Sequence, residues 1–239
     1  MTNDVLTVRG LAGGYGRIPI LFGLDMTVGE GEFVSVLGHN GMGKTTLLKT
    51  LTGHLKATGG EVALDGVDIT NASPTRRARA GIGYVPQGRQ IFPALTVLDN
   101  LRMGMLKLGN SARADKTESI LNDFPRLKPI LGRVGGVLSG GEQQILAIAR
   151  CLVGNPRLVL LDEPTEGIQP SIIAEIQEVL KRLTSRHRLS VVLVEQNLEL
   201  IRSVAQRIFI IRKGRLSAAI GPDQLQDQSA IDEFVGLES

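Results

Sequence analysis

The chain has 239 residues, 42% of them hydrophobic and 21% charged, which suits one sizeable α/β domain and leaves little room for two. The formal net charge is only +3, and the run Arg76, Arg77 and Arg79 has no adjacent aromatic residues to stack on bases, so we expect no nucleic-acid partner. A single cysteine, Cys151, excludes an internal disulfide, and without a signal peptide or about 18 consecutive apolar residues any membrane contact requires a partner.

The N-terminal part of the chain is strand-like. Segments at 6–9, 24–28 and 61–64 are bounded by turn signals, and most of them have no helical pattern between them. Strands that follow one another without crossover helices pair antiparallel. We therefore predict an antiparallel β portion here.

A glycine-rich loop follows the apolar run at 33–37, which favours a buried strand. The loop fits the phosphate-loop pattern and leads into a helix predicted to start near Thr45. Its glycines let backbone N–H groups point at phosphate oxygens, Lys44 reaches the terminal phosphates, and the Thr45 hydroxyl can ligate Mg²⁺. The residues assigned to nucleotide binding here are Gly38, Asn40, Gly41, Gly43, Lys44, Thr45 and Thr46.

A helical region follows the next predicted strand, at 82–85. From about 96 to 150 the apolar pattern is helical, and Thr96 stands three residues ahead of Asp99, which is the spacing of a helix N-cap. We interpret residues 88–154, approximately, as a helical subdomain inserted in the nucleotide-binding core.

Two adjacent acids end the apolar run at 158–161, which is a further predicted strand. A phosphate loop needs a carboxylate at the end of a neighbouring buried strand. Asp162 is assigned to the Mg²⁺ shell, and Glu163 is assigned the role of orienting or deprotonating the attacking water.

The remaining runs complete an α/β pattern. Residues 190–194 and 208–211 read as buried strands of a largely parallel sheet. A helix is predicted before them because apolar residues recur on one face: Ile172, Ile173, Ile176, Val179, Leu180 and Leu183.

One further motif decides the family. The segment Leu138-Ser139-Gly140-Gly141-Glu142-Gln143 precedes a helical run and resembles the signature sequence of ATP-binding cassette (ABC) proteins. Ser139 and the glycines Gly140 and Gly141 would present a hydroxyl, bare N–H groups and a positive dipole end at a helix N-terminus, which is an anion site.

The resemblance covers essentially the whole chain and implies a fold, ligands and roles. It implies a single cassette over 4–239, with a RecA-like P-loop NTPase core, an antiparallel β subdomain and a helical subdomain. ATP and Mg²⁺ are the implied ligands. Tyr15 matches the aromatic that stacks on adenine, and Gln87 matches the glutamine that touches Mg²⁺ and water and relays movement to the membrane subunit. In the family each signature motif faces the phosphate loop of a second cassette.

Two positions depart from the family pattern. Gln169 stands where an Asp is usual, and Gln196 stands where a His is usual. Gln196 can hydrogen-bond a γ-phosphate but cannot become cationic, so the usual switch role is altered. Gln169 lacks the charge expected to bridge the two cassettes.

These departures resemble one branch of the family. The sequence Val-Glu-Gln-Asn at 194–197 and the segments at 88–93 and 95–97 look like the ATPase subunits of importers for branched-chain amino acids, urea and short amides. The segment 166–173 looks more like the urea and amide type. The branch implies a second, different cassette ATPase, two transmembrane permeases and an extracytoplasmic solute-binding protein, with this chain peripheral at the cytoplasmic face of the plasma (inner) membrane.

Two other functions compete with this interpretation. A cassette ATPase acting on DNA or ribosomes would need a long coiled coil or two cassettes in one chain, and neither pattern is present. A nucleotide-binding module without hydrolysis would not need the acid at Glu163.

Overall fold

The structure is a computed structural model that describes residues 4–106 and 109–225. Its strands are β1 Asp4–Tyr15, β2 Ile18–Gly29, β3 Phe33–Leu37, β4 Ala57–Leu64, β5 Val67–Asp68, β6 Ile82–Val85, β7 Leu158–Asp162, β8 Ser190–Glu195, β9 Arg207–Arg212 and β10 Arg215–Leu216. Its α-helices are α1 Lys44–Leu51, α2 Pro74–Ala80, α3 Val97–Gly104, α4 Asn110–Asp123, α5 Gly140–Leu152, α6 Pro170–His187 and α7 Leu198–Val204. Short 3-10 helices cover Pro125–Ile130, Gly135–Val137 and Pro222–Leu225. The end of the proposed domain, 226–239, lies outside the described residues.

The strands form two sheets. An antiparallel sheet has the order β2-β1-β4-β5, and a six-stranded sheet has the order β10-β9-β3-β8-β7-β6. All neighbours in the larger sheet are parallel except β10, which returns antiparallel on β9. The predicted antiparallel β portion and parallel core are confirmed.

The parallel strands are mostly apolar because both faces of the sheet are covered. On β3, Phe33 and Leu37 pack in a cluster with the helices of the second half of the chain, whereas Val34 and Val36 pack on the other side with α1 and the antiparallel sheet. The same alternation along β7 and β8 explains why these strands read as continuous apolar runs.

Strands β1 and β2 are longer than the sequence predicted. Their pairing contains register shifts, and glycines such as Gly10, Gly13 and Gly14 occupy the irregular part. Glycine lowers strand propensity, yet bulges and close backbone approach require it. A Cβ on Gly60 of β4, for example, would lie 2.3 Å from the carbonyl oxygen of Gly10.

The helical region between β6 and β7 is interrupted rather than continuous. Thr96 caps α3, as predicted, because its hydroxyl accepts from the Asp99 backbone N–H at 3.1 Å. The 3-10 helices at 125–130 and 135–137 separate α4 from α5, where prolines and glycines break the α-helical pattern. Cys151 lies on α5, and burial raises the pKa of its thiol to about 12, so it is an inert packing group.

One residue of the arginine-rich run, Arg77, has a structural role. Arg77 is only 2% exposed, and its guanidinium donates to the carbonyl oxygens of Thr50 and Leu51 at 2.8 and 2.7 Å, at the end of α1. It also reaches the carbonyls of Thr70 and Ala72 at 2.6 and 3.1 Å. Arg77 therefore caps the helix that begins at the phosphate loop. Within the part of the chain that the structure describes, no helix is both long and apolar enough to cross a membrane.

Candidate active site

The phosphate loop connects β3 to the N-terminus of α1, as predicted. Gly43 has φ +107°, a left-handed conformation that only glycine adopts without strain, and it precedes the first residue of α1. Gly38 sits so close to β9 that a Cβ there would lie 2.6 Å from the Ile211 side chain. A side chain would therefore clash at the start of the loop and be strained at its end. The positive N-terminus of α1 points at the space that the loop encloses.

Lys44 is held inside this loop by three partners. Its side chain is 4% exposed, and its ammonium donates to the carbonyl oxygens of Gly38 and His39 at 2.6 and 2.9 Å. The same nitrogen lies 2.9 Å from Glu163 Oε1, across from the end of β7. A phosphate that binds Lys44 must therefore exchange with a buried carboxylate.

The Asp162 carboxylate accepts hydrogen bonds from two hydroxyl groups. Thr45 Oγ1 donates to one carboxylate oxygen and Tyr84 Oη to the other, both at 3.1 Å. Burial raises the pKa of Asp162, and the neighbouring Glu163 charge raises it further, while the two hydroxyl contacts lower it. Burial also raises the pKa of Tyr84, which keeps the phenol a neutral donor.

Glu163 adopts a left-handed backbone conformation, with φ +44°. For a residue with a side chain this conformation costs of order 1 kcal/mol or more, and such strain concentrates at functional sites. Its N–H donates to the Val194 carbonyl on β8 at 3.0 Å, which holds the turn in place. This backbone conformation places the carboxylate beside the phosphate loop, where it pairs with Lys44.

Two glutamines contact the same carboxylate. Gln196 Nε2 lies 3.0 Å from Asn40 Oδ1 of the phosphate loop and 3.5 Å from Glu163 Oε2. Gln87 Nε2 lies 3.4 Å from Glu163 Oε2 and 2.9 Å from Glu166 Oε2. The structure thus brings both glutamines to Glu163, and it places the Gln87 amide nitrogen on acids rather than beside Asp162.

The signature segment lies at the N-terminus of α5, and among the described residues it makes no hydrogen bond to the phosphate loop. Ser139 and Glu142 form a capping box, with the Ser139 hydroxyl accepting from the Glu142 N–H at 3.3 Å and Glu142 accepting from the Ser139 N–H at 2.8 Å. A Cβ on Gly140 would meet the Arg89 guanidinium at 2.8 Å, and one on Gly141 would meet Ile172 at 2.8 Å. These glycines leave room for two close neighbours.

Three other predicted residues lie at the margins of this site. Tyr15 ends β1, is 45% exposed, and has the Lys49 ammonium 6.0 Å from its ring centroid. Thr46 is buried on α1. Gln169 is exposed at the N-cap of α6 and makes no side-chain capping hydrogen bond.

Sequence reasoning missed two residues of this site. The sequence pattern places Tyr84 only within the predicted strand 82–85, although its phenol contacts Asp162. It places Glu195 only within the segment 194–197, although this residue is buried and accepts hydrogen bonds from two loops. The available signal for Glu195 was a charged residue directly after an apolar run, because such a residue is buried only when it is paired or hydrogen-bonded.

The assembled groups suit phosphoryl chemistry. A cation, a hydroxyl next to a carboxylate, and a second carboxylate with two amides surround one helix N-terminus. Such a set can bind a polyphosphate, orient a water molecule and accept a proton from it.

The chain is similar to known proteins over most of its length. Residues 21–166 match the protein family described as ABC transporter. The high-affinity branched-chain amino acid transport ATP-binding protein BraG of Pseudomonas aeruginosa is 39% identical over 202 residues, which are 84% of this chain and 86% of that protein. The lipopolysaccharide export system ATP-binding protein LptB of Escherichia coli K12 is 34% identical over 235 residues, 97% of each chain.

Solved structures agree with this result. An ATP-binding cassette of an ABC transporter in its ADP conformation has a TM-score of 0.86 at 25% identity, over 98% of this chain and 99% of that one. The protein cbiO1 of Clostridium perfringens, part of the ABC transporter complex cbiONQ, has a TM-score of 0.85 at 25% identity, over 99% of this chain and 96% of that one.

Proposed function

The chain belongs to the ABC transporter family as an ATP-hydrolysing subunit that works with membrane permeases, and from this premise we propose that it powers the import of small amides or amino acids. One observation carries the assignment of hydrolysis to the site described above. Lys44 Nζ lies 2.9 Å from Glu163, and Thr45 Oγ1 lies 3.1 Å from Asp162, so the phosphate loop meets both acids of β7.

Each side chain then has a task. Lys44 binds the terminal phosphates after it exchanges with Glu163, and Glu163 takes the proton of the attacking water. Gln196 extends from the loop after β8 toward the γ-phosphate, and Gln87 contacts the attacking water. Tyr15 stacks on the adenine.

Thr45 and Asp162 fit a magnesium site. Mg²⁺ takes one or two protein ligands in phosphate sites and fills its other positions with water and phosphate oxygens, so no large acidic cluster is needed. None of the described residues forms a group of three or more His, Cys, Asp or Glu side chains suited to a metal. When bound, Mg²⁺ neutralises charge on the phosphates. Thr45 supplies a hydroxyl oxygen, and Asp162 supplies a carboxylate oxygen 3.1 Å from it.

A second cassette ATPase, of a different chain, completes each site in this proposal. Ser139, Gly140 and Gly141 form an anion site that, within the described part of the chain, makes no hydrogen bond to its own phosphate loop, so they act on the partner's nucleotide. Val134 and Val137 beside this segment are 41% and 66% exposed, which supplies apolar surface for such a contact.

Nucleotide trapping in the assembled heteromer tests the shared sites. Lys44→Ala is expected to abolish trapping at this chain, whereas Ser139→Arg is expected to impair hydrolysis at the partner. Photo-crosslinking of an ATP analogue, with the label assigned to each subunit by mass, measures both. If Ser139→Arg removes labelling from this chain alone, the face-to-face arrangement is wrong.

Import of small solutes is supported by the relative named for branched-chain amino acid transport and by Gln196 in place of His. The segment 166–173 favours urea and short amides within that class. The assembly would then comprise two permeases and an extracytoplasmic solute-binding protein, with this chain at the cytoplasmic face of the plasma membrane. Export is the second candidate, because LptB aligns over 97% of each chain. The relatives named above are transport proteins, which gives no support to a cassette that acts on DNA or ribosomes.

Reconstitution distinguishes these candidates. The chain is co-expressed with the permeases and the second cassette ATPase that co-purify with it, and the complex is placed in liposomes. ATP-dependent uptake is measured with labelled urea, acetamide and leucine, each with its binding protein, and Lys44→Ala serves as the inactive control. We expect uptake of at least one of these solutes. ATP-driven release of lipopolysaccharide with no uptake would contradict the import proposal.

A further inference from the structure

The last residue of β8, Glu195, is a buried carboxylate in the middle of the parallel sheet. It is 3% exposed, and its backbone pairs with Leu37, the residue directly before the phosphate loop. On the other side of β8, the preceding residue Val194 pairs with Asp162. Glu195 therefore lies between the two strand ends that carry the catalytic groups.

Four donors converge on its side chain. One carboxylate oxygen accepts from the Thr165 N–H at 3.1 Å and from the Thr165 hydroxyl. The other accepts from the N–H groups of Gln196 and Asn197 at 2.8 and 3.1 Å. Among the described residues Glu195 has no Lys or Arg partner, so these donors alone compensate its charge.

The donors belong to two different loops. Thr165 lies two residues after Glu163, in the turn where Glu163 takes its left-handed conformation. Gln196 begins the loop after β8, and its side chain contacts both Asn40 and Glu163. One carboxylate thus joins the turn that carries the base to the loop that carries the residue facing the γ-phosphate.

We propose that Glu195 is a positioning residue, which holds Glu163 and Gln196 in a fixed mutual geometry without touching the nucleotide. This inference rests on the proposed function, in which Glu163 is the base. A carboxylate suits the task because each of its oxygens accepts two hydrogen bonds. A carboxamide has one oxygen and two N–H donors, so one of the two loops would face a donor instead of an acceptor. Only an acid satisfies both loops.

The central test is Glu195→Gln in the reconstituted transporter. A small displacement of a catalytic group lowers turnover by up to about a hundredfold. We expect kcat to fall about tenfold to a hundredfold, while KM for ATP changes less than about threefold, because Lys44 and the phosphate loop remain. The matched control is Glu32→Gln, which removes a carboxylate whose partners lie outside the site. This carboxylate accepts from the Gly29 N–H at 2.7 Å and pairs with Arg207 at 3.1 Å. The control variant is expected to lower Tm and leave kcat within about twofold.

A milder pair of variants covers the case in which Glu195→Gln does not fold. Thr165→Val removes the hydroxyl donor alone, and Thr165→Ser retains it. We expect Thr165→Val to lower kcat and Thr165→Ser to restore it toward the native value. Equal kcat in Thr165→Val and the native protein would overturn the proposal, because the hydroxyl contact would then have no effect on catalysis.

A background that lacks both positioned side chains identifies the route of the effect. If Glu195 acts through Glu163 and Gln196, adding Glu195→Gln to the double variant of Glu163→Gln and Gln196→Ala causes no further loss in single-turnover hydrolysis. A further multiplicative loss, or an equal loss of kcat in the control Glu32→Gln, overturns the positioning role. If instead Glu163→Gln alone retains native turnover, the proposed catalytic base is wrong. Full activity of Glu195→Gln beside an inactive Glu163→Gln rejects this inference and leaves the proposed function intact.

Discussion

Replacing Glu163 with glutamine separates binding from hydrolysis. The amide keeps the shape of the side chain but cannot take a proton from water, and loss of a general base lowers turnover by about 10²–10⁴. This corresponds to about 3–5 kcal/mol in the activation barrier. We therefore expect Glu163→Gln to reduce the ATPase rate of the assembled transporter by at least about a hundredfold.

Binding should respond in the opposite direction. In the structure Lys44 Nζ pairs with Glu163 Oε1 at 2.9 Å, so the carboxylate competes with a phosphate for the ammonium. A hydrogen bond to a charged group contributes about 1.5–3 kcal/mol, and a neutral amide retains part of it. ATP affinity is expected to rise by about tenfold, which corresponds to about 1.4 kcal/mol. Lys44 keeps the carbonyls of Gly38 and His39, so the fold should tolerate the change.

The assay combines steady-state phosphate release with equilibrium binding of a fluorescent ATP analogue. Glu175→Gln is the matched control. Glu175 pairs with Arg126 at 2.7 Å, and among the described residues it makes no hydrogen bond or ion pair with the phosphate loop or with Glu163. We expect native turnover in this control. Near-native turnover of Glu163→Gln would refute the role of Glu163 as the base. A loss of turnover accompanied by an equal loss of ATP binding would show that Glu163 acts on binding rather than on proton transfer.

Three further perturbations follow from particular contacts. Gln196→His is expected to introduce a titration near pH 6–7 in the rate profile, because imidazole becomes cationic there and the amide does not; an unchanged profile would place this side chain away from the nucleotide. Because burial raises the pKa of Asp162, its carboxyl group stays protonated to a higher pH in the folded protein than in the unfolded chain. The contribution of this group to stability therefore falls as pH rises from its unfolded-state pKa to its folded-state pKa. Binding of Mg-ATP, which requires the carboxylate, is then expected to weaken as pH falls through the same window, and calorimetry at several pH values should show this loss in the native protein and not in Asp162→Asn. Arg77→Lys removes the planar fork that serves four backbone carbonyl oxygens, so we expect the free energy of unfolding to fall by about 2–4 kcal/mol and Tm to fall by roughly 5–15 °C; exposed Arg79→Lys is the control, and equal Tm values would contradict the capping role.

Features with a local signal are predictable from the amino-acid sequence. The phosphate loop was recognisable because glycines, Lys44 and Thr45 stand at a fixed spacing between an apolar run and a helix. Thr96 at the start of α3 was predicted from a residue three positions away, and the structure confirms that cap. The apolar runs predicted the buried strands because both faces of a parallel sheet are covered. These patterns, with the signature segment, were sufficient for the fold class and the family.

Which of these features contact one another depends on the packing of the whole chain. Asn40 and Gln196 are 156 positions apart, and they come into contact because β3 and β8 are neighbours in the sheet. Strand order is a property of the whole chain, and local periodicity does not encode it. For the same reason the contact between Tyr84 and Asp162 is not predictable from the sequence. The burial of Glu195 likewise depends on the position of β8 between β3 and β7. A buried polar group is identified by its partners, and those partners are brought together by packing.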